Sequence, residues 1–189
     1  MPFFEISLGF WPTPRSTVET ALGLAGITSD DIIFDLGSGD GRIIIAAAEI
    51  YGARGVGIEI DPALVEASRT SALRSGVQNL VRFTLGDLFE ADIGTASVVF
   101  LALMLEANLE LRSRLITSLG PGSRIIAFNH GMRDWEPEKQ IEVDGQPIYL
   151  WRITEVLKLN PKFAGTCTLP VHSTRKVGNR TIYFWTRET

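Results

Sequence analysis

Three carboxylates in this sequence stand at the ends of three apolar stretches, and their side chains are able to bind a polar ligand together. Asp35 and Glu59 close the first two stretches, and Asp87 follows the third. If the stretches are parallel strands, their carboxyl ends share the sheet edge at which ligands bind. Carboxylates accept hydrogen bonds from hydroxyl and amino groups and pair with cations. The pattern therefore favours a ligand that carries such groups.

The run Asp35-Leu36-Gly37-Ser38-Gly39-Asp40-Gly41 narrows the class of ligand. Its three glycines allow the backbone to bend and to touch a ligand without a Cβ, and the next residues predict a helix whose first N–H groups face it. The spacing differs from the dinucleotide fingerprint G-x-G-x-x-G. The two aspartates of the run would repel a pyrophosphate and attract an ammonium group. The run thus favours S-adenosylmethionine over NAD.

The other two acids fit an adenosine ligand. Glu59 lies 24 residues after Asp35, close to the roughly 20-residue spacing at which an acid binds ribose hydroxyls. Asp87 is expected to accept a hydrogen bond from the adenine amino group, and Leu88 or Phe89 to cover the ring.

The elements that position these acids follow from the periodicity of apolar residues, which predicts alternating strands and helices up to about Phe128. Asp61 is expected to be an N-cap and Pro62 the first residue of its helix. The predicted helices are Pro14–Leu24, Arg42–Tyr51, Ala63–Ser75 and Leu105–Leu119. The fourth and fifth strands are predicted at Val98–Leu103 and Arg124–Phe128, and the aromatic strands Pro147–Ile153 and Arg180–Thr186 at an antiparallel end of the sheet.

From Pro12 to about Ile153 the chain resembles the class I (seven-strand) methyltransferases that use S-adenosylmethionine. The segment Trp11-Pro12-Thr13-Pro14, the glycine run and Val56-Gly57-Ile58-Glu59-Ile60 are similar to the small archaeal-type protein lysine methyltransferases. The resemblance implies a Rossmann-like α/β fold: a mostly parallel twisted sheet with helices on both faces and an antiparallel C-terminal end. The cofactor-binding residues expected on this basis are Thr13, Asp35, Gly37, Ser38, Gly39, Gly41, Glu59, Ile60, Asp87 and Leu88.

Thr13 has two interpretations that the sequence leaves open. By resemblance it touches the methionine end of the cofactor. Alternatively, it caps a helix that begins at Pro14, since Thr at the N-cap followed by Pro is a common helix start.

Composition predicts one compact domain over residues 1–189. The resemblance implies its division into a cofactor-covering segment and helix over 1–30, a core over 31–153 and an extension over 154–189. The chain is 45% hydrophobic and 21% charged, with a formal charge of −4. That charge and the lack of a Lys/Arg stripe disfavour a nucleic-acid partner. The longest apolar run, Val98 to Leu105, is too short to span a membrane. The N-terminus lacks the basic start of a secretion signal, so a cytoplasmic location is expected.

The expected reaction is methyl transfer from S-adenosylmethionine, with S-adenosylhomocysteine as the product, to the amine of a protein lysine. The alternatives are a small-molecule or lipid-headgroup acceptor, and a non-catalytic cofactor-binding module. No catalytic base is assigned, because methyl transfer depends mainly on in-line approach and exclusion of water. Polar candidates near strands four and five are Glu106, Asn108, Asn129 and His130. The sequence predicts no oligomeric state.

Two further chemistries are not expected. The segment Phe100–Glu106 lacks the Asn/Asp-Pro-Pro-aromatic signature of enzymes that methylate exocyclic base nitrogens, which disfavours DNA adenine methylation. Cys167 and His172 have no third partner nearby in sequence, so no metal or thiol-hydrolase site is predicted.

Overall fold

The computed structural model describes residues 12–159 and, as backbone alone, 171–177 and 180–185. The helices are α1 (Arg15–Ala25), α2 (Arg42–Tyr51), α3 (Pro62–Arg74), α4 (Leu105–Ser118) and α5 (Glu155–Leu159). The strands are β1 (Ile32–Leu36), β2 (Arg54–Glu59), β3 (Val81–Leu85), β4 (Val98–Leu101), β5 (Arg124–Phe128), β6 (Lys139–Val143), β7 (Gln146–Arg152), β8 (Val171–Val177) and β9 (Arg180–Trp185).

Seven strands form one sheet in the order β3-β2-β1-β4-β5-β7-β6. The first five are parallel, and β7 and β6 are antiparallel to their neighbours. The strand order reverses between β1 and β4, which opens a crevice at the carboxyl ends of these two strands. The prediction of a mostly parallel sheet with an antiparallel C-terminal end is confirmed.

Helices pack on both faces of this sheet, as predicted. On one face, buried residues of α1, α2 and α3 pack against side chains such as Ile33 and Phe100. On the other face, the leucines of α4 pack against residues such as Leu36 and Trp151. Because β1 and β4 are covered on both sides, they are apolar nearly throughout, and Asp35 is the one charged residue in either strand.

One predicted strand lies in a different sheet, and one observed strand was not predicted. The strand β9 lies in a separate two-stranded sheet with β8, and not in the antiparallel end of the main sheet. The two strands pair across the short connection between Val177 and Arg180, so a local hairpin replaced the long-range pairing. The unpredicted strand is β6, which the sequence analysis missed because the polar segment Lys139–Val143 has no strong apolar alternation. It is stabilised by pairing with β7 across the Asp144-Gly145 turn.

The two predicted helix starts had different outcomes. Asp61 is the N-cap of α3, and its Oδ1 accepts from the Ala63 N–H at 2.8 Å. The prediction that Thr13 caps α1 was wrong, because Pro14 occupies the cap position with an extended ψ of 147° and the helix begins at Arg15. The extended ψ of Pro14 leaves Thr13 one residue before the cap position.

Among the described residues, no helix combines the length and apolar character needed to cross a bilayer. Trp11 and Cys167, which the sequence analysis discussed, lie outside the described residues.

Candidate cofactor site

The glycine turn between β1 and α2 adopts a backbone conformation that favours glycine. Gly37, Gly39 and Gly41 have φ values of 81°, 55° and 81°. A Cβ on Gly41 would lie 2.5 Å from the Phe83 ring and 2.9 Å from Ser68, closer than packed atoms allow. The N–H groups of Gly37 and Ser38 both donate to the Ile58 carbonyl, at 2.9 and 3.0 Å. The turn is therefore held tightly against β2.

Asp35, the last polar residue before this turn, is fully buried and unpaired. It is 1% exposed, and neither carboxylate oxygen has a hydrogen-bond partner among the described residues. Burial, followed by repulsion from Glu59 and Asp40, raises its pKa to about 8. A buried carboxylate without a partner is costly and is usually paired with a cation. The residue therefore fits a ligand that presents a positive group at this point.

Glu59, at the end of β2, connects the turn to the next strand. Its Oε2 accepts from the Gly39 N–H at 2.8 Å, and its Oε1 accepts from the N–H groups of Ile60 and Asp61 at 2.8 and 2.9 Å. A carboxylate offers about four acceptor positions. The three backbone donors fix its orientation and leave capacity for a ligand hydroxyl.

Asp40 has a different role from the one that the sequence analysis gave it. Its carboxylate forms a bidentate ion pair with Arg42, at 2.9 Å to Nε and 2.6 Å to Nη2. The expectation that Asp35 and Asp40 both attract an ammonium group was therefore wrong, because the Arg42 guanidinium offsets the Asp40 charge. Arg42 also donates from Nη1 to the Thr13 carbonyl at 2.9 Å. This bond draws the segment before α1 to the glycine turn.

The loop after β3 brings Asp87 and Leu88 to the same end of the sheet. The Gly86 N–H donates to the Glu59 carbonyl at 2.9 Å, and the Phe89 N–H donates to Asp87 Oδ1 at 2.9 Å. A Cβ on Gly37 would lie 3.8 Å from Leu88 Cδ2 and 2.9 Å from Leu103 Cδ2. Leu88 and Leu103 therefore both flank the turn. Sequence reasoning missed Leu103, although it lies two residues beyond β4, where ligand contacts are common.

Ser38 is buried and faces β2 more than the open crevice. A Cβ on Gly57 would lie 2.6 Å from Ser38 Oγ, and this hydroxyl has no hydrogen-bond partner among the described residues. Its side chain therefore packs against the sheet, and its direct contribution at the turn is the backbone N–H that bonds to Ile58.

The polar candidates after β4 and β5 form a second group. Asn108, in the first turn of α4, is fully buried, and its Nδ2 donates to the His130 carbonyl at 2.8 Å. Asn129 is exposed and adopts a positive φ of 63°. Glu106 is half-buried in the same helical turn as Asn108. The candidates from two separate segments are thus brought together by one hydrogen bond.

Two arginines of α4 that sequence reasoning missed hold the loops beside the site. Arg112, 8% exposed, pairs with Asp134 at 2.6 Å. Arg114 donates to the carbonyls of Phe89 and Ala91 in the loop that carries Asp87. The sequence held one sign of this role: Arg112 and Arg114 lie close together on a helix whose inner face is otherwise rich in leucine. Within residues 12–159 and the two later strands, no cluster of His, Cys, Asp and Glu suits a metal ion.

Comparison with known proteins identifies the family. A family model described as the ANTKMT methyltransferase domain matches residues 35–139, from the buried aspartate to the start of β6. This chain belongs to that methyltransferase family. Its match to a protein-lysine N-methyltransferase of Saccharolobus islandicus is 35% identical over 149 residues, covering 76% of this chain and 92% of that relative.

Two further similarities belong to this family comparison. A human lysine N-methyltransferase that is named for its action on ATP synthase is 32% identical over 134 residues, which cover 71% of this chain but 57% of that protein. The crystal structure of an RNA methyltransferase from Salinibacter ruber in complex with S-adenosyl-L-homocysteine is 47% identical, with a TM-score of 0.76 over 77% of this chain and 95% of that one.

Proposed function

We propose that the chain binds S-adenosylmethionine at the glycine turn and transfers its methyl group to the amine of a protein lysine. The observation that carries the cofactor assignment is the buried Asp35 carboxylate at the turn, which has no hydrogen-bond partner in the part of the chain that the structure describes. It suits the ammonium group of the methionine moiety, because a charge-assisted hydrogen bond would offset the cost of burial. A dinucleotide pyrophosphate would leave this carboxylate unpaired and repelled.

The remaining residues of the site are proposed to contact different parts of the cofactor. In this proposal Glu59 accepts from the ribose hydroxyls with its remaining lone pairs, and the adjacent Ile60 lies along the nucleoside. Asp87 binds the adenine amino group and Leu88 covers the ring. The glycine turn, with Ser38 within it, contacts the methionine moiety. Thr13 covers this moiety from the segment that Arg42 holds in place.

The chemistry demands little of the protein beyond alignment and exclusion of water. The bound cofactor supplies a methyl group on a sulfonium. A neutral amine forms the new nitrogen–carbon bond with its electron pair, the carbon–sulfur pair stays on sulfur, and the product nitrogen loses a proton to solvent. Leu103, which follows β4 and flanks the turn, provides an apolar wall, and such a wall favours the neutral amine over the ammonium form.

The lysine acceptor is supported by the relatives. The archaeal protein, which is named for lysine methylation, aligns with this chain over 92% of its own length. The animal relatives named for lysine methylation align with 134 residues of this chain. A small-molecule or lipid acceptor has no comparable support.

A labelling experiment tests this proposal. The protein is incubated with methyl-labelled S-adenosylmethionine and heat-treated cell extract, and the label is counted in protein, nucleic acid, lipid and small-molecule fractions. Label in protein that hydrolyses to methyl-lysine supports the proposal. Label confined to lipid or small molecules contradicts the lysine acceptor. D35N in parallel separates enzyme-dependent label from background.

RNA is the second candidate acceptor, and the observation in its favour is the 47% identity to a protein described as an RNA methyltransferase. Electrostatics oppose it, since the chain carries 22 acidic and 18 basic side chains, a formal charge of −4. A surface with this charge gives no general attraction to phosphates. Label that is released from the extract by ribonuclease would favour RNA over lysine.

A further inference from the structure

The corner that follows β5 has a strained and well-fixed backbone. Asn129 has a φ of 63°, a conformation that costs an L-residue roughly 1–2 kcal/mol. Its N–H donates to the Pro147 carbonyl at 2.9 Å, and the His130 N–H turns back to the Phe128 carbonyl at 2.7 Å. Strain of this kind persists where the surroundings determine the backbone, and it is concentrated at functional sites.

Asn108 fixes the same corner from α4. It is fully buried, its Nδ2 donates to the His130 carbonyl at 2.8 Å, and its Oδ1 has no hydrogen-bond partner among the described residues. An unsatisfied buried acceptor costs about 1–3 kcal/mol. The His130 carbonyl accounts for the donor half of this amide, whereas no contact among the described residues accounts for the Oδ1 acceptor.

The strand register places this corner beside the cofactor site. Phe100 of β4 pairs with Asp35 on one side and with Ile126 on the other. Ile126 is thus level with Asp35 and about 10 Å away across two strand spacings. The corner begins three residues beyond Ile126, past the carboxyl end of β5.

The two sides of β1 would then bind different molecules. Glu59 and the Asp87 loop lie on the β2 and β3 side, where the proposed nucleoside sits. The side toward β4 and β5 remains for the acceptor, and the Asn129–His130 corner carries polar groups on that side. An amide oxygen or a neutral imidazole nitrogen accepts a hydrogen bond from an amine N–H. Such a bond would orient the amine electron pair without adding a charge.

We propose that the Asn129–His130 corner holds the acceptor amine in line with the cofactor methyl group, and that Asn108 is the positioning residue that sets this corner. This inference rests on the proposed function of the site. It assigns the acceptor-binding role to a strained turn of β5 rather than to a charged catalytic base.

The first test needs no acceptor and therefore stands apart from the lysine assignment. The chain contains two histidines, His130 and His172, so isotope-labelled imidazoles give two NMR signals, which the H172Q variant assigns. We expect the His130 signal to differ between the complexes with S-adenosylmethionine and S-adenosylhomocysteine, since these differ by the methyl group and its positive charge. Identical His130 signals in the two complexes would overturn the inference, whatever the acceptor is.

The second test measures label incorporation into heat-treated cell protein as a function of protein concentration. N129G keeps the left-handed backbone and removes the amide, and H130A removes the imidazole. Each is expected to lower the rate at limiting protein about 10- to 100-fold, while cofactor affinity stays within twofold. H130Q, which retains a hydrogen-bond acceptor, should recover part of the rate. Wild-type rates in both N129G and H130A would refute the role of the corner.

The action of Asn108 through His130 is tested with a double-mutant cycle. If Asn108 only positions the corner, N108A in the H130A background should cost less than threefold further, because coupled residues are non-additive. Full additivity of the two losses would contradict the positioning role. Should N108A fail to fold, N129G and the NMR comparison still decide the main inference.

Discussion

At the scale of single residues, the proposed cofactor site depends on the Asp35 carboxylate, whose burial disfavours its charged form. Asp35 lies in the middle of an apolar sheet, between strands that are covered on both faces. Burial is the main reason that its pKa rises to about 8. Sequence reasoning found this residue from its position before three glycines. It did not reveal that Asp40, five residues later, is neutralised by Arg42.

Cofactor affinity should depend on pH through Asp35. Because its pKa is about 8 in the free protein, the carboxylate is mostly protonated at pH 6 and must ionise to pair with the ammonium group. We expect the dissociation constant for S-adenosylhomocysteine to fall nearly tenfold per pH unit between pH 6 and 7, as measured by titration calorimetry. D35N should bind about 10- to 100-fold more weakly at pH 8, with little pH dependence below it. If the dissociation constant changed equally with pH in the wild type and in D35N, Asp35 would not be the group that pairs with the ammonium.

The raised pKa of Asp35 also predicts how the stability of the cofactor-free protein depends on pH. A folded-state pKa raised from 3.8 to about 8 means that the folded protein keeps a proton that the unfolded chain loses. Stability is therefore lost as the pH rises between these values. We expect D35N to melt several degrees above the wild type at pH 8, with the difference disappearing near pH 4. A lower melting temperature for D35N at pH 8 would refute the unpaired carboxylate.

At the scale of elements, the glycine turn and the far end of the sheet are fixed by different contacts. The glycine turn packs closely against Phe83 and Ser68 because Gly41 has no Cβ at this contact. At the opposite end of β1, buried Asp31 accepts from Ser97 Oγ at 2.7 Å and forms an ion pair with Arg124. Periodicity predicted the strands and helices that carry these residues. It did not predict the contacts, since each joins positions far apart in sequence.

Gly41→Ala and Gly76→Ala form a matched pair that tests the turn. Both glycines have positive φ, 81° and 71°, but only a Cβ on Gly41 meets other atoms within 3 Å. We expect G76A to cost about 1 kcal/mol for the backbone alone. G41A should cost about 2–4 kcal/mol, because overpacking adds to that penalty. Urea denaturation of both variants measures the difference, and equal losses would show that the turn has room for a side chain.

Asp31→Asn tests the opposite end of the sheet. Although burial opposes it, hydrogen bonds from Ser97 and Thr28 and the charge of Arg124 lower the pKa of Asp31. Its ionised form therefore stabilises the fold above the unfolded pKa, and this contribution is lost as the pH falls below about 4. We expect D31N to cost about 3–5 kcal/mol at pH 7 and to leave the cofactor dissociation constant within twofold. Weakened cofactor binding in a folded D31N protein would place this cluster in the site after all.

At the scale of the whole molecule, our proposals place the nucleoside on one side of β1 and the acceptor on the other. α4 connects the two sides, since Arg114 holds the loop of Asp87 and Asn108 holds the corner after β5. The family comparison covers this assembly from Asp35 onward. The division into one domain with an extension over 154–189 stays a prediction.

The nature of the acceptor should appear in the pH profile of the whole enzyme. A lysine amine has an ordinary pKa of about 10.4 and reacts only when neutral. At saturating cofactor we expect the rate of protein methylation to rise nearly tenfold per pH unit between pH 7 and 9. Saturation removes the contribution of Asp35 to cofactor binding. A flat profile over this range would exclude an amine as the reacting group.

Local sequence patterns were sufficient to predict the α/β class, the parallel core and the glycine run between an acid and a helix. These features depend on neighbouring residues, because periodicity, glycine spacing and caps are local properties. The folded chain was needed to show that Asp40 pairs with Arg42, that β9 lies outside the main sheet and that Asn108 contacts His130. These outcomes depend on which distant groups meet, and burial then decides the charge that each group retains.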